Sequence, residues 1–340
     1  MARVFTDGAE MGDLLFFNSV ASNFAVSSAQ KRSGDYSYQV PGSGSTPSAT
    51  KDITGISEGY LKFGWRPVNG NSPNGKVLTW GTTGGTELGS LRYSSASKQF
   101  SLYTSTGTWV ANGTIVIPAL DAWYLIELYI KIADAGALAL KIDGVADSTC
   151  VFSGDTKPGA DTTFSRLIYR VEAAGQQCFF DDLALNDTAG ATDNSWCGEG
   201  GVIAFDPNES DDDANQWLGQ DGNNDDNHLN VDEEPSDGDT TYNEASTSGY
   251  LDLYQLGDAS LSGKTIRRVF VEARARDTVA AGGQIKLDIK PGSTLYKSSA
   301  ISLLTTYSRI VGPEYTTNPD DSNPWEDADI DGMQIGQEVV

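Results

Sequence analysis

The chain has 340 residues and carries 47 acidic against 23 basic side chains, a formal charge of −24. That length is comfortable for two cores, and such an acidic balance argues against nucleic-acid binding and against anionic membrane surfaces. Its 37 glycines and the scarcity of lysine, arginine and long helical runs describe many short strands joined by turns.

The N-terminal segment MARVFTDGAEMGD has no apolar h-region, so a secretory signal is not expected there. No run of 18 apolar residues follows, so no membrane span is expected. Residues 60–65 alternate Leu61, Phe63 and Trp65 against Lys62 and Gly64, and residues 98–103 place Phe100 and Leu102 on one face. Residues 123–132 (WYLIELYIKI) form the strongest strand pattern: Tyr124, Ile126, Leu128, Ile130 and Ile132 share a face, with Glu127 and Lys131 opposite. Residues 137–142 read as its neighbour, followed by Asp143-Gly144, a hairpin signal because glycine accepts positive φ. Residues 166–171 and 178–185 add two strands. The turn-rich stretch 186–201 marks a domain boundary and divides the chain into residues 1–195 and 196–340. Beyond it, a long acidic region runs to about residue 249, with no lysine or arginine between Arg170 and Lys264. Strands resume at 266–275, 284–289, 293–297 and 305–311, and residues 333–340 close the chain.

Cys150, Cys178 and Cys197 fit no zinc spacing. A Cys150–Cys178 bridge is open, but three free, packed thiols are expected, pointing to synthesis in a reducing compartment. Asp327, Asp329, Asp331, Gly332 and Glu338 match the calcium-loop pattern of an EF-hand, yet the chain ends before an exiting helix could form. A second acidic loop, residues 221–232, has Asp226 where that pattern requires glycine. A third set is spatial: if the first and last strands of the first domain pair, Asp7, Glu10, Asp181 and Asp182 meet, and hard oxygen ligands in that number suit calcium. Glycosidic hydrolysis needs two carboxylates flanking the sugar. No strand carries alternating acids, and the single histidine, His228, lacks a nucleophile partner. Trp65, Trp80, Trp109 and Trp123 are available for packing or for stacking on sugar rings.

Three strings, FTDGAEMGDLLFFN, AWYLIELYIKI…ALALKIDG and CFFDDLALNDTAG, make the first 190 or so residues resemble the concanavalin A-like, or laminin-G-like, jelly roll. That resemblance implies two stacked antiparallel sheets and a membership of lectins, carbohydrate-binding modules, glucanases and virion proteins. The glucanase acid motif is missing, which implies the non-enzymatic branch. The strings NSWCGEGG, VDEEPSDGDTTY, DLYQLGD, VEARARD and TNPDDSNPWEDADIDGMQIGQEVV make the two-domain layout similar to structural proteins of tailed bacteriophages. Cys197 stands where such proteins often have proline.

The expectation is therefore an all-β chain: a concanavalin A-like jelly roll over residues 1–195 and a second β-sandwich over 196–340 with a long acidic loop region. It is expected to be a non-enzymatic virion-surface protein (head decoration, head fibre or tail accessory), made in the host cytoplasm. Its expected partners are capsid or tail proteins, further copies of itself, as in a trimer, and host-surface glycans. No catalytic residue is expected; calcium is, at Asp7, Glu10, Asp181 and Asp182. The alternatives are a cellular carbohydrate-binding module or adhesin, and a glycoside hydrolase with an unrecognised acid pair.

Overall fold

The computed structural model describes residues 3–21, 23–42, 46–105, 108–157, 159–279 and 282–340, and the side chains of all of these except 210–213. The chain is all-β, and it divides into two compact units, Met1–Ala204 and Phe205–Val340.

The strands of the first unit are β1 (Arg3–Asp7), β2 (Ser19–Ala21), β3 (Ala25–Ser27), β4 (Ser37–Val40), β5 (Ser48–Ile56), β6 (Glu58–Pro67), β7 (Gly75–Gly81) and β8 (Glu87–Ser94). They continue with β9 (Gln99–Thr104), β10 (Trp109–Asn112), β11 (Tyr124–Lys131), β12 (Gly136–Ile142), β13 (Val145–Gly154), β14 (Phe164–Arg170) and β15 (Cys178–Asp187). They form two antiparallel sheets. One runs β13-β12-β11-β6-β15-β4-β3, with β1 also on β15; the other runs β10-β9-β8-β7-β14-β5-β2.

The alternation seen in sequence becomes the core between the sheets. Leu61, Phe63 and Trp65 of β6, Ile126, Leu128 and Ile130 of β11 and Phe180 of β15 meet Leu78 and Trp80 of β7, Tyr93 of β8, Phe100 of β9 and Tyr169 of β14. The rings interlock across the gap. Trp65 lies 4.9 Å from Tyr93 and 5.1 Å from Phe100, and Phe180 lies 5.3 Å from Tyr169, all near edge-to-face.

The outer face of the eight-stranded sheet is covered by the segment that the sequence marks as a boundary. Gly198 N donates to Glu127 Oε1 at 2.7 Å, and Lys62 Nζ donates to the Gly200 carbonyl at 2.7 Å. Trp196 packs edge-on against Tyr60 at 5.3 Å, with the Lys141 ammonium 4.1 Å over its ring. Glu127, expected on the solvent side of its strand, is consequently buried. These contacts place the division between the units after residue 204 rather than at 195/196. Cys150, Cys178 and Cys197 are buried and unbridged.

The second unit contains β16 (Pro207–Asn215), β17 (Leu218–Gly219), β18 (Asn243–Glu244), β19 (Leu251–Leu256), β20 (Glu272–Ala275), β21 (Gln284–Lys290), β22 (Ile301–Ser302), β23 (Ser308–Val311) and β24 (Gln334–Val339). The main sheet is β16-β19-β24-β21-β22, and β17–β18 and β20–β23 form two ribbons. Leu287, Ile289, Ile310, Trp325, Ile330 and Met333 form its core. The expected strands 266–275 and 305–311 are shorter than their patterns.

The C-terminal acids make a one-turn helix, α1 (Asp327–Asp331), leading directly into β24. Asp327 accepts from Leu261 N and Asp331 from Ala259 N, both at 2.7 Å, and Asp329 accepts from Glu326 N at 2.8 Å. Glu338 pairs with Lys286 and Lys297 from within β24. The pattern's ligand positions are thus divided between a helix turn and a strand, instead of circling one point.

Phe180 is fully buried at the centre of the ring cluster. Phe180→Ala is expected to cost about 3–5 kcal/mol, read as a lowered urea midpoint with an unchanged slope.

Candidate functional site

The four acids expected to bind calcium lie on β1 (Asp7), just after it (Glu10) and on β15 (Asp181 and Asp182), where β1 and β4 share one edge of β15. β1 pairs with residues 183–186 of β15 and β4 with residues 178–180. Between them the register with β6 shifts, and Asp182 adopts φ 51°. This bulge turns both aspartates onto the loop of residues 32–35. Asp181 Oδ2 accepts from Arg32 N at 2.7 Å, and Oδ1 accepts from Asp182 N at 2.7 Å. Asp182 pairs with the Arg32 guanidinium at 2.6 Å and accepts from Ser33 Oγ at 2.5 Å and Val202 N at 2.8 Å. Glu10 accepts from Asp35 N at 2.7 Å. Gly34, at φ 58°, lies against that carboxylate so closely that a Cβ would collide with it. Asp7 accepts from Ala9 N at 2.9 Å and Tyr38 Oη at 2.6 Å. All four acids are buried. Burial first, and the charge of Asp182 second, push the Asp181 carboxyl up to about 8. Among the described residues, no group of three His, Cys, Asp or Glu side chains is arranged to hold a metal ion.

The outer face of the seven-stranded sheet is different in kind. Strand pairing sets Tyr103, Ser90, Thr79 and Ile168 in one row across β9, β8, β7 and β14. The next row contains Ser101, Arg92 and Lys76. The Arg92 guanidinium lies 4.0 Å from the centre of the Tyr103 ring. Lys76 pairs with Glu87 at 2.7 Å and approaches Glu172 at 3.9 Å. Ser90 and Thr79 are directly opposed and buried under these longer chains, and neither hydroxyl has a partner.

At the sheet edge, Trp109 stands opposite Tyr103 and is 53% exposed. Its Nε1 donates to Asn112 Oδ1 at 2.8 Å, and Ser101 Oγ donates to the same oxygen at 2.6 Å. The indole is thus held in place while its face stays wet. Alongside lies a depression of about 320 Å³ lined by Asn74, Arg92, Ser94, Ser101, Tyr103 and Glu172. An immobilised aromatic ring beside hydroxyls, guanidinium and carboxylate suits sugar rings, whose C–H faces stack and whose hydroxyls hydrogen-bond. Of these residues, sequence reasoning named Trp109 alone as a sugar-stacking candidate. The outward alternation Ser90, Arg92, Ser94 in residues 87–94 is the signal that could have found the rest.

No family model matches the chain, and no curated protein matches it. In structure it is similar to the cellulose-induced protein Cip1, at 13% identity and TM-score 0.44, over 58% of this chain and 100% of that one. It is also similar to endo-β-1,4-glucuronan lyase from the fungus Trichoderma reesei, at 14% identity and TM-score 0.41, over 54% and 95%. A third is alginate lyase Aly36B, at 16% identity and TM-score 0.33, over 46% and 82%. Two of the three are named as polysaccharide lyases, and this corrects the expectation of a non-enzymatic chain. That expectation rested on missing hydrolytic constellations. A lyase cleaves by elimination and requires neither a paired-acid strand nor a Ser-His-Asp set.

The seam makes stability pH-dependent. An unfolded aspartate titrates near ~3.9, whereas Asp181 in the fold titrates at about 8. Between these values the folded state binds the additional proton, so stability falls as pH rises through the window and levels off above it. Asp181→Asn is expected to flatten that decline, measured as urea midpoints from pH 5 to 9.

Proposed function

We propose that this chain is a glycan-binding surface component of a tailed-phage virion, which meets sugar on the outer face of the seven-stranded sheet. The observation that carries the glycan reading is Trp109, exposed on the face yet fixed through Asn112. A ring held in one orientation pays little ordering cost on binding. The virion setting is supported by the strings within residues 194–340 that resemble structural proteins of tailed bacteriophages. Sandwich faces of this kind bind weakly one at a time, so copies arrayed on a particle, or assembled as a trimer, gain from multivalency.

The seam of Asp7, Glu10, Asp181 and Asp182 is proposed as a calcium site that ties β1 to β15. Asp181 and Asp182 adjoin on the bulge and the charge of Asp182 opposes that of Asp181, a repulsion that a divalent cation would offset. Calcium competes with the proton on Asp181, so its effect grows with pH. Millimolar calcium is expected to raise the melting temperature of the chain more at pH 8.5 than at pH 6, with chelator reversing the gain. No shift at either pH excludes the site.

Trp109→Ala is expected to weaken binding to soluble polysaccharide about tenfold, the loss of one stacked ring, with an unchanged melting temperature. Isothermal titration measures it, and reducing-end and 235 nm absorbance assays on the same mixtures record any turnover. Equal affinity of the variant overturns the face as the binding site. Antibody labelling of intact particles tests the setting, and absence of label moves the protein to a cellular carbohydrate-binding module or adhesin.

A further inference from the structure

We infer that the outer face of β7, β8, β9 and β14 selects polysaccharides bearing carboxylate or sulfate groups, with Arg92 and Arg170 reading the negative charge. This rests on the glycan-binding reading of the same face. The first unit has six arginines. Four of them face carboxylates: Arg3 with Asp193, Arg32 with Asp182, Arg66 with Asp121 and Arg166 with Asp52. Arg92 and Arg170 are the two with no carboxylate within 4.0 Å among the described residues, and the Nε of each is buried without a hydrogen-bond partner. In a chain with twice as many acids as bases, two guanidiniums without an ion-pair partner on one sheet face stand out.

Their placement suits a ligand. Arg92 lies over the Tyr103 ring, which fixes the guanidinium plane and leaves its edge to bond a planar carboxylate or a sulfate. Arg170 follows Tyr169, which is turned into the core, so Arg170 faces outward on the strand adjacent to β7. The other charges on this face limit the site. Lys76 is held by Glu87, Arg166 by Asp52, and Glu172 lines the depression. With Glu172 counted against Arg92 and Arg170, these groups leave one positive charge in excess. That fits spaced single charges on a sugar chain and does not fit a continuous run of phosphates. The overall charge of −24 opposes a polyanion at long range, but the Debye length is only about 8 Å at physiological salt. At contact the nearby guanidiniums outweigh distant, screened acids.

The test is isothermal titration of the whole chain with polygalacturonate, a sulfated galactan and an uncharged β-glucan, at about 50 and 300 mM salt. Binding to at least one charged polymer is expected, several-fold weaker at the higher salt. Arg92→Gln and Arg170→Gln should each weaken it about tenfold or more, as expected for loss of a charge-assisted bond. Lys264→Gln, in the second unit, should leave it unchanged. Melting temperatures check that the variants fold, and the salt dependence of the unaltered chain tests the proposal without any variant. If the β-glucan binds as well as the charged polymers, and neither arginine variant alters affinity, the charge reading fails while the glycan face stands. If none of the three polymers binds, both readings fail together.

Discussion

A β-sandwich is held by one apolar layer, and that layer dictates the fate of its two outer faces. Alternation sends every second side chain away from the core, so each outer face must suit water or be covered. The eight-stranded sheet carries Lys62, Glu127, Asp181 and Asp182 outward, and all four are buried. A buried charge without a partner is costly, and the segment 196–203 supplies the partners: Gly198 N for Glu127, the Gly200 carbonyl for Lys62 and Val202 N for Asp182. Desolvation holds the Lys62 ammonium below the usual lysine range even so. The seven-stranded sheet has no comparable strap among its described contacts, and its outward Tyr103, Arg92 and Trp109 remain accessible to a ligand.

Much of the core was legible because period two is a local signal. Leu61, Phe63, Trp65, Ile126, Leu128 and Ile130 point where their alternation sends them. The pairing of the first strand with the last, which sets Asp7 opposite Leu183, was legible too. Three things were not. The bulge at Asp182 depends on a left-handed aspartate, which pattern alone does not distinguish from an ordinary strand residue. The strap contains turn formers and reads as a linker, because two of its bonds go to residues 70 or more positions away, Glu127 and Lys62. The binding face is assembled from strands far apart in sequence, since β14 inserts between β7 and β5. Tryptophans identical in letter then separate: Trp65 and Trp80 are fully buried, and Trp109 is not.

The acid excess has a structural use that composition conceals. Asp147 accepts from Thr114 N and Ile115 N at 2.8 Å and from the Thr149 hydroxyl at 2.8 Å. Burial opposes its charge, yet these donors hold the carboxyl below the usual range. Asp252, fully buried in the second unit, accepts from Gln216 N at 2.5 Å and Trp217 N at 2.8 Å. In long loops the backbone N–H groups have no ladder to join, and an aspartate can satisfy two or more of them at once. A calcium-loop pattern is written in the same letters. What separates the two outcomes is which partner reaches the oxygens first. At Asp327, Asp329 and Asp331 it is the backbone, because the helix turn and the adjoining loop bring N–H groups within 2.8 Å of each. At the β15 bulge Arg32 N occupies Asp181, while the Arg32 guanidinium, the Ser33 hydroxyl and Val202 N occupy Asp182. There, however, Asp181 and Asp182 adjoin in a buried bulge, and burial together with the charge of Asp182 raises the Asp181 carboxyl above the usual carboxylate range despite its backbone donors.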